Sequence, residues 1–278
     1  MSRPKPVPAH LVTGGFPPGA PAAHDIDYAR RRLLGLLGEF ENARTTVSSD
    51  LADIERWLER SRFVVTYTSG PHLDEAQSRA MQDWLEAGGR WLGLHGSSGG
   101  RAAPVDGDRS VRRMVKTSHH AVLGAFFLNH PPVRRFRVDV KRDHPLARGL
   151  PASFETVDEL YLIELQDPEH TDLLLTTDLD KDPSPPGFGF VYDRDTSALA
   201  DGRTRALGYT RRVGKGGVAY LALGHCHSPS TNSQPFVDES AAPGGKTPLT
   251  LRASWENEHF ETLVRNALGW GLDAEPAS

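Results

Sequence analysis

The sequence has few of the features that mark secreted or membrane proteins. Cys226 is the only cysteine among 278 residues, so no disulfide can form within the chain. No apolar run approaches the roughly 20 residues needed to span a membrane. The proline-rich start, Met1 to Ala9, has no apolar segment of the kind that signal peptides carry. We therefore expect a cytoplasmic protein that has no membrane partner.

Positive charge and familiar ligand motifs are also missing. The chain has 32 basic and 36 acidic residues and a net charge of −4, which predicts no nucleic-acid partner. It contains neither H-E-x-x-H nor C-x-x-C, and no glycine-rich nucleotide loop of the G-x-G-x-x-G or Walker type. We expect no cofactor on these grounds, although a divalent metal such as zinc stays open.

What remains is typical of a globular α/β protein, with 38% hydrophobic and 24% charged residues. Apolar runs and 3.6-residue periodicities alternate over the first hundred residues, which predicts parallel strands connected by helices. We expect a single domain over residues 1–278, with residues 1–8 disordered. Two irregular stretches, about 178–204 and 228–253, are predicted to be long loops. Ser254 is predicted to cap the last helix.

One short strand is predicted to organise the chain. Trp91, Leu92 and Leu94 follow a glycine pair, and the apolar pattern stops at His95, which small residues follow. A strand, one reactive side chain and a flexible turn form the layout of a nucleophile elbow. Ligands of open α/β sheets bind beyond the carboxyl ends of such strands. His95 is therefore a candidate functional residue; the alternative is that it only hydrogen-bonds neighbouring loops.

Three other side chains are predicted to lie at or near strand ends. His130 follows an apolar segment, Glu159 lies in a predicted strand over Thr156–Leu162, and His225 ends a predicted strand. Together with His95 they form a set suited to proton transfer, and the same set suits a divalent transition metal. For His130 the alternative is a loop histidine fixed by the prolines after it. For Glu159 it is an exposed acid on a half-buried strand.

These pieces, taken in order, resemble the ThuA-like, or trehalose-utilisation, family, whose fold is like that of class I glutamine amidotransferases. The match covers nearly the whole chain except Met1 to Pro8 and the interiors of the two long loops. It implies a flavodoxin-like three-layer sandwich with a central, mainly parallel sheet. The matching segments are Val12-Thr13-Gly14-Gly15, His24-Asp25, Gly88-Gly89-Arg90, Gly93-Leu94-His95, Phe126 with His130-Pro131, Asp143-His144-Pro145, Asp158-Glu159-Leu160-Tyr161, Gly214-Lys215-Gly216 and Leu223-Gly224-His225.

Six further residues in or next to the matching segments are expected to contact a substrate. For Asp25 the alternative is a helix N-cap. The Gly-Gly pair after the first strand would let the backbone approach a ligand closely. These six residues are Gly14, Gly15, His24, Asp25, Gly96 and Tyr161.

The resemblance does not imply glutaminase activity. Amidotransferases of this fold place a cysteine at the elbow, where this sequence has His95. An imidazole can act as acid, base or metal ligand, but it does not replace a thiolate. Cys226 lies beside His225 and is expected to be a small buried apolar residue.

The family name implies a carbohydrate ligand. We expect His95, His130, Glu159 and His225 to carry out lyase, hydratase or isomerase chemistry on a sugar or keto sugar. The alternatives are a non-enzymatic sugar-binding or scaffold protein, and a metal-dependent hydrolase. Convergence of the four side chains would favour the enzyme, whereas scattered, solvated histidines would favour the binding protein. The expected partner is a small carbohydrate, and a homo-oligomer is left open.

Overall fold

The computed structural model describes residues 5–15, 24–105 and 108–275. Its helices are α1 (Ile26–Gly38), α2 (Ile54–Leu58), α3 (Glu75–Glu86), α4 (Ser118–Leu123) and α5 (Glu258–Leu272). Its strands are β1 (Val7–Gly14), β2 (Ala43–Ser48), β3 (Phe63–Thr68), β4 (Arg90–Leu94), β5 (Arg101–Val105), β6 (Asp108–Val115), β7 (Ala125–Asn129), β8 (Arg134–Val140), β9 (Ser153–Asp158), β10 (Leu162–Leu165), β11 (Thr171–Asp178), β12 (Thr204–Val213) and β13 (Gly216–Leu221).

A nine-stranded sheet in the order β2-β1-β3-β4-β13-β12-β11-β8-β9 forms the centre of the protein. The neighbours from β2 to β13 pair in parallel, and those from β13 to β9 pair antiparallel. Seven of these nine strands therefore run in one direction. The predicted mainly parallel sheet is confirmed, and an antiparallel half extends it beyond β13.

Helices cover the parallel half because its strands are apolar on both faces. All six residues of β3 are buried, and Trp91, Leu92 and Leu94 of β4 are inaccessible to solvent. Helices α1 and α5 pack together against β1, β3 and β4, whereas α3 packs with α2 and α4 and contacts β12 and β13. This arrangement is the predicted three-layer sandwich. None of the described helices is long and apolar enough to cross a membrane.

Three predicted details are wrong. Strand β1 already begins at Val7, within the segment expected to be disordered; residues 1–4 of that segment lie outside the described residues. The predicted strand over Thr156–Leu162 stops at Asp158, whose carboxylate accepts a hydrogen bond from the next backbone N–H and ends the extended pairing. Asn257, not Ser254, caps α5, because the Ser254 hydroxyl donates to Asp158.

Buried His10 on β1 makes the stability of the fold sensitive to acid. Its ring stacks on Trp57 with centroids 4.4 Å apart, and burial lowers its pKa to about 4. The pKa of His10 in the unfolded chain is about 6.5. The stability that the neutral ring contributes is therefore fully present above pH 6.5 and is lost as the pH falls towards 4. When the pH is lowered from 7 to 4.5, we expect the unfolding free energy of the wild type to fall by about 2 kcal/mol more than that of His10→Gln.

Urea denaturation at the two pH values measures this difference. His259→Gln, at a histidine whose side chain is 32% exposed, is the control and should follow the wild type. Equal losses for the wild type and the His10 variant would contradict the prediction.

Candidate functional site

The carboxylate of Glu159 lies at the centre of a group of histidines. Its Oε2 atom is 3.1 Å from Nε2 of His95, and its Oε1 atom is 3.2 Å from Nδ1 of His225 and 3.6 Å from Nε2 of His130. The ring of His24 completes the group, with its centroid 4.9 Å from that of His95 and 5.1 Å from that of His225. The structure thus brings together the four side chains that were predicted to be catalytic, and their catalytic role stays a prediction.

His95 stands at the tip of β4 in a strained turn. It is the first residue after the strand, and its φ of 46° lies in the left-handed region that residues with a side chain seldom adopt. The hydroxyl of Tyr220 donates to the His95 carbonyl at 2.8 Å. A side chain at Gly96 would lie 2.4 Å from the Thr68 carbonyl oxygen, so only glycine permits this turn. The predicted elbow geometry is therefore present, with an imidazole in the place of a thiol.

A second group of histidines fixes the same turn. Their Nε2 atoms lie 2.7 to 2.9 Å from carbonyl oxygens of the turn and donate to them. These pairs are His72 with Gly96, His119 with Ser97, and His120 with Gly99. Side-chain donors therefore stabilise the conformation of the turn after β4, because a different histidine donates to each of these three backbone carbonyls.

Asp158, at the end of β9, positions both Glu159 and His225. Its buried carboxylate accepts hydrogen bonds from the backbone N–H groups of Glu159 at 2.8 Å, Gly224 at 2.8 Å and His225 at 3.0 Å. The hydroxyl of Ser254 also donates to it. One carboxylate therefore ties the segment after β13 to the segment after β9.

Hydrogen bonds to carbonyl groups determine the tautomers of His95 and His225 when both rings are neutral, and so which nitrogen atom of each ring faces Glu159 without a proton. Nδ1 of His95 donates to the Ala222 carbonyl at 2.8 Å, which leaves a lone pair on Nε2. Nε2 of His227 donates to the Pro248 carbonyl at 2.8 Å, so Nδ1 of His227 accepts from Nε2 of His225 at 3.0 Å. His225 then also presents a lone pair, on Nδ1, towards Glu159.

Four buried atoms of the cluster have no hydrogen-bond partner among the described residues: Nδ1 of His24, Nε2 of His95, Nδ1 of His225 and Oε2 of Glu159. The short contacts of His95 and His225 with the Glu159 carboxylate do not meet the geometry of hydrogen bonds. One possible ligand atom from each of these four residues lies within 4.8 Å of the others. Buried polar atoms without partners are costly, so a convergent group of them indicates a place for a ligand.

The charges within the cluster favour an ionised carboxylate. Burial raises the pKa of Glu159, but the neighbouring histidines outweigh burial and hold that pKa well below its usual range. Burial holds the pKa of His24 well below its usual value, and repulsion from His95 and His225 in their protonated forms lowers it further. Burial also lowers the pKa of His95, but Glu159 outweighs burial and raises it. A negative centre surrounded by imidazoles can accept either a proton or a cation.

Both long loops reach the cluster. In the loop after β13, the amide of Gln234 donates to Oε1 of Glu159, and the Pro248 carbonyl binds His227. In the loop after β11, the ring of Phe188 lies 5.9 Å from that of His130 and edge-on to it. The side chain of His130 is 16% exposed, in contrast to the buried His95 and His225, so it faces the accessible side of the site.

Comparison with known families agrees with this architecture. Residues 22–239 match the sequence model of the family described as ThuA, trehalose utilisation. The chain belongs to the ThuA family. No protein of curated function matches the chain.

Solved structures show that the ThuA fold extends over the whole chain. A ThuA-like protein from Parabacteroides merdae ATCC 43184 has 16% identity and a TM-score of 0.56, over 99% of this chain and 92% of its own. A ThuA-like protein from Bacteroides uniformis ATCC 8492 has 18% identity and a TM-score of 0.57, over 98% and 93%. The β-galactosidase of Rahnella sp. R3 matches over 96% of this chain but only 31% of its own, with 12% identity and a TM-score of 0.55. At these identities the likeness concerns the fold alone.

The residues of this ThuA chain that were expected to contact substrate have several different surroundings. His24 belongs to the cluster, and the ring of Tyr161 stacks on His95 with centroids 4.2 Å apart. Asp25 caps α1 through Oδ1 and pairs with Arg252 through Oδ2, so both its oxygen atoms are engaged.

The glycines predicted at this site meet backbone or side chains of neighbouring loops. A side chain at Gly14 would lie 1.7 Å from the Ser49 carbonyl oxygen, and one at Gly15 would lie 2.1 Å from Oγ of Ser69. Like Gly96, these glycines are explained by the close approach of neighbouring chain segments.

Cys226 has the surroundings of an inert thiol in this ThuA protein. It is inaccessible to solvent, its Sγ atom lies 3.4 Å from the Tyr67 hydroxyl, and burial raises its pKa to about 12. We expect the native protein to resist iodoacetamide at pH 7.5 and to react only after unfolding in urea, because both access and the thiolate are lacking. Mass spectrometry of the alkylated protein measures this. Rapid native labelling, or ammonia release from glutamine that Cys226→Ser abolishes, would contradict it.

Proposed function

We propose that this ThuA-family protein is a metal-dependent enzyme that acts on a carbohydrate. His24, His95, Glu159 and His225 would hold one divalent transition-metal ion, and His130 would carry a proton. The observation that carries the proposal is the convergence of four buried ligand atoms that have no hydrogen-bond partner among the described residues. The sequence favoured proton transfer without a metal because it contains no recognised ligand spacing, and the convergence of these atoms supports the metal alternative.

The distances in the cluster suit a single ion. Ligand atoms about 2.0 to 2.2 Å from a metal stand about 3.4 Å apart in a tetrahedron and up to about 4.3 Å apart across an octahedron. The observed upper limit of 4.8 Å is only slightly larger, so small side-chain rotations would close the site. Three imidazoles and one carboxylate suit zinc, iron, nickel or cobalt better than calcium or magnesium, which prefer oxygen.

The surrounding hydrogen bonds also suit a metal site. Metal-bound histidines usually donate their other ring N–H to a carbonyl or carboxylate, which fixes the tautomer. His95 donates to the Ala222 carbonyl, and His225 donates to the ring atom Nδ1 of His227, which fixes its tautomer in the same way. A proton-transfer site without a metal would instead leave several buried atoms without partners, at a cost of about 1 to 3 kcal/mol each.

The family description supports a carbohydrate substrate. An ion held by these four side chains would leave room for oxygen atoms of a sugar to bind it. When bound, such an ion polarises a carbonyl group and stabilises the charge that forms on its oxygen. His130 donates from Nδ1 to the Pro131 carbonyl at 2.8 Å, so Nε2 has a free lone pair. It would accept the proton from the carbon beside the carbonyl and return it, which suits isomerisation or elimination of a keto sugar.

Metal analysis of the purified protein tests this proposal. We expect about one transition-metal ion per chain, a lower melting temperature after chelation, and recovery on adding back one of zinc, ferrous iron, cobalt or nickel. We also expect loaded protein in D2O to exchange the hydrogen beside the carbonyl of a keto sugar, observed by proton NMR across a panel of sugars. Melting and exchange that chelation and metal addition leave unchanged would contradict the proposal.

His227 offers a sharper test because it does not touch the proposed ion. His227→Leu removes the acceptor that fixes the tautomer of His225, whereas His227→Gln retains an acceptor. We expect the leucine variant to bind metal about 10 to 100 times more weakly and the glutamine variant to recover part of that loss. Competition with a chromophoric chelator measures both affinities. Unchanged affinity in the leucine variant would show that His227 does not position His225.

A further inference from the structure

A continuous row of aromatic rings leads from the cluster to the surface. The ring of His95 stacks on Tyr161 at 4.2 Å, and Tyr161 stacks on His130 at 5.8 Å. Beyond His130 stand Phe188, at 5.9 Å, and then Phe236, 5.3 Å from Phe188. Exposure increases along the row, from the buried His95 to Phe236 at 40%. The row therefore forms one wall that begins at the proposed metal and ends in solvent.

The outer end of this wall is Phe236, one of the few large apolar side chains that are exposed among the described residues. Large exposed apolar side chains are few among the described residues, and three of the four lie in the two long loops. These three are Val191, Phe236 and Leu249; the fourth, Val47, is on β2. A partly exposed aromatic side chain beside a polar site is typical of a ligand-binding surface.

Both phenylalanines are held by ordered contacts. In the first loop, the Asn129 side chain binds Asp182 and Ser184 and accepts from the Phe190 backbone N–H at 3.0 Å. These bonds fix the chain on both sides of Phe188.

In the second loop, Gln234 binds Glu159, and the Val237 N–H donates to the Gly245 carbonyl at 3.0 Å, on either side of Phe236. Rings fixed in this way lose little conformational freedom when a ligand packs on them.

We infer that Phe188 and Phe236 form a sugar-stacking subsite next to the metal. The inference rests on the proposed function, which it deepens by naming what lies beside the reacting sugar. The negative face of an aromatic ring attracts weakly positive C–H groups, and one face of a pyranose is lined with such groups. The rings of Phe188 and Phe236, with centroids 5.3 Å apart, offer adjacent aromatic surface for one pyranose ring. The subsite therefore takes a second pyranose ring, and the enzyme selects a substrate that has at least two rings.

Sugar titrations by calorimetry test the subsite without requiring turnover. The probes are trehalose, maltose and glucose, each titrated into zinc-loaded and into chelated protein. We expect the disaccharides to bind more tightly than glucose. We expect Phe188→Ala and Phe236→Ala to weaken disaccharide binding about threefold to tenfold each, with less than about a twofold change for glucose. Phe236→Trp should keep the affinity, because it retains an aromatic face.

Val47→Ala is the matched control, since Val47 has the same exposure as Phe236 but lies on β2. In chelated protein the dependence on Phe236 should persist, so a failure of the metal proposal remains distinguishable from a failure of the subsite. Equal affinities for the wild type and both alanine variants would overturn the inference. So would a wild-type protein that binds none of the three sugars.

Discussion

His95→Asn is expected to give a folded protein that lacks both the proposed metal ion and the proposed activity. Asparagine keeps a polar side chain of similar size, but it cannot reach the ion as an imidazole does. Altering a residue that only supports a ligand costs about 10 to 100-fold in metal affinity, so loss of a ligand should cost at least about a hundredfold. Loss of one proton-transfer group costs about 10² to 10⁴-fold in rate. Turnover should therefore fall at least about a hundredfold, whether His95 binds the metal or transfers a proton.

Metal content, melting temperature and hydrogen exchange in a keto sugar are the three measurements for this variant. His10→Asn is the control because it removes another fully buried histidine, one that lies on β1 outside the cluster. That control should keep its ion even if its stability falls. A His95→Asn protein with full metal content and unchanged turnover would remove His95 from the site.

Asp158→Ala is expected to be among the most destabilising single substitutions in the chain. The carboxylate satisfies three backbone N–H groups and one hydroxyl, all buried. Each buried donor left without a partner costs about 1 to 3 kcal/mol, so the alanine variant should lose about 3 to 6 kcal/mol of unfolding free energy. Asp158→Asn keeps one oxygen acceptor and should lose less.

Urea denaturation measures the loss, and Asp139→Ala is the matched control. Asp139 is 41% exposed on β8, where a substitution should change stability by no more than about 0.5 kcal/mol. An alanine variant at position 158 that unfolds at the same urea concentration as the control would show that the carboxylate does not hold the two segments together.

The sequence was sufficient to predict the parallel half of the fold and the centre of the site. Strands β1, β3 and β4 are short apolar runs between turn signals, and this pattern is typical of buried strands. Ligands bind beyond the carboxyl ends of such strands, which is why His95 and His225, each at a predicted strand end, were candidates for one site. The left-handed conformation of His95 also agrees with the strand, side chain and small-residue order that predicted an elbow.

The rest depends on contacts between distant segments, which local patterns do not encode. Gln234 lies in an irregular loop without periodicity, so nothing in its neighbours indicated that it would reach Glu159. His227 is separated from His225 by one residue, but its role depends on the Pro248 carbonyl. Ser254 matched the pattern of a helix cap because Ser is common there, and its actual partner, Asp158, is far away in sequence.

The four proposed ligands are distributed almost evenly along the chain. Roughly 65 to 70 residues separate each of His24, His95, Glu159 and His225 from the next. During synthesis the amino-terminal part emerges first, so the ligand set is incomplete until His225 and the strand before it have left the ribosome. Metal capture would therefore come late in assembly, and a chain truncated before His225 would lack a ligand however well its first strands had folded.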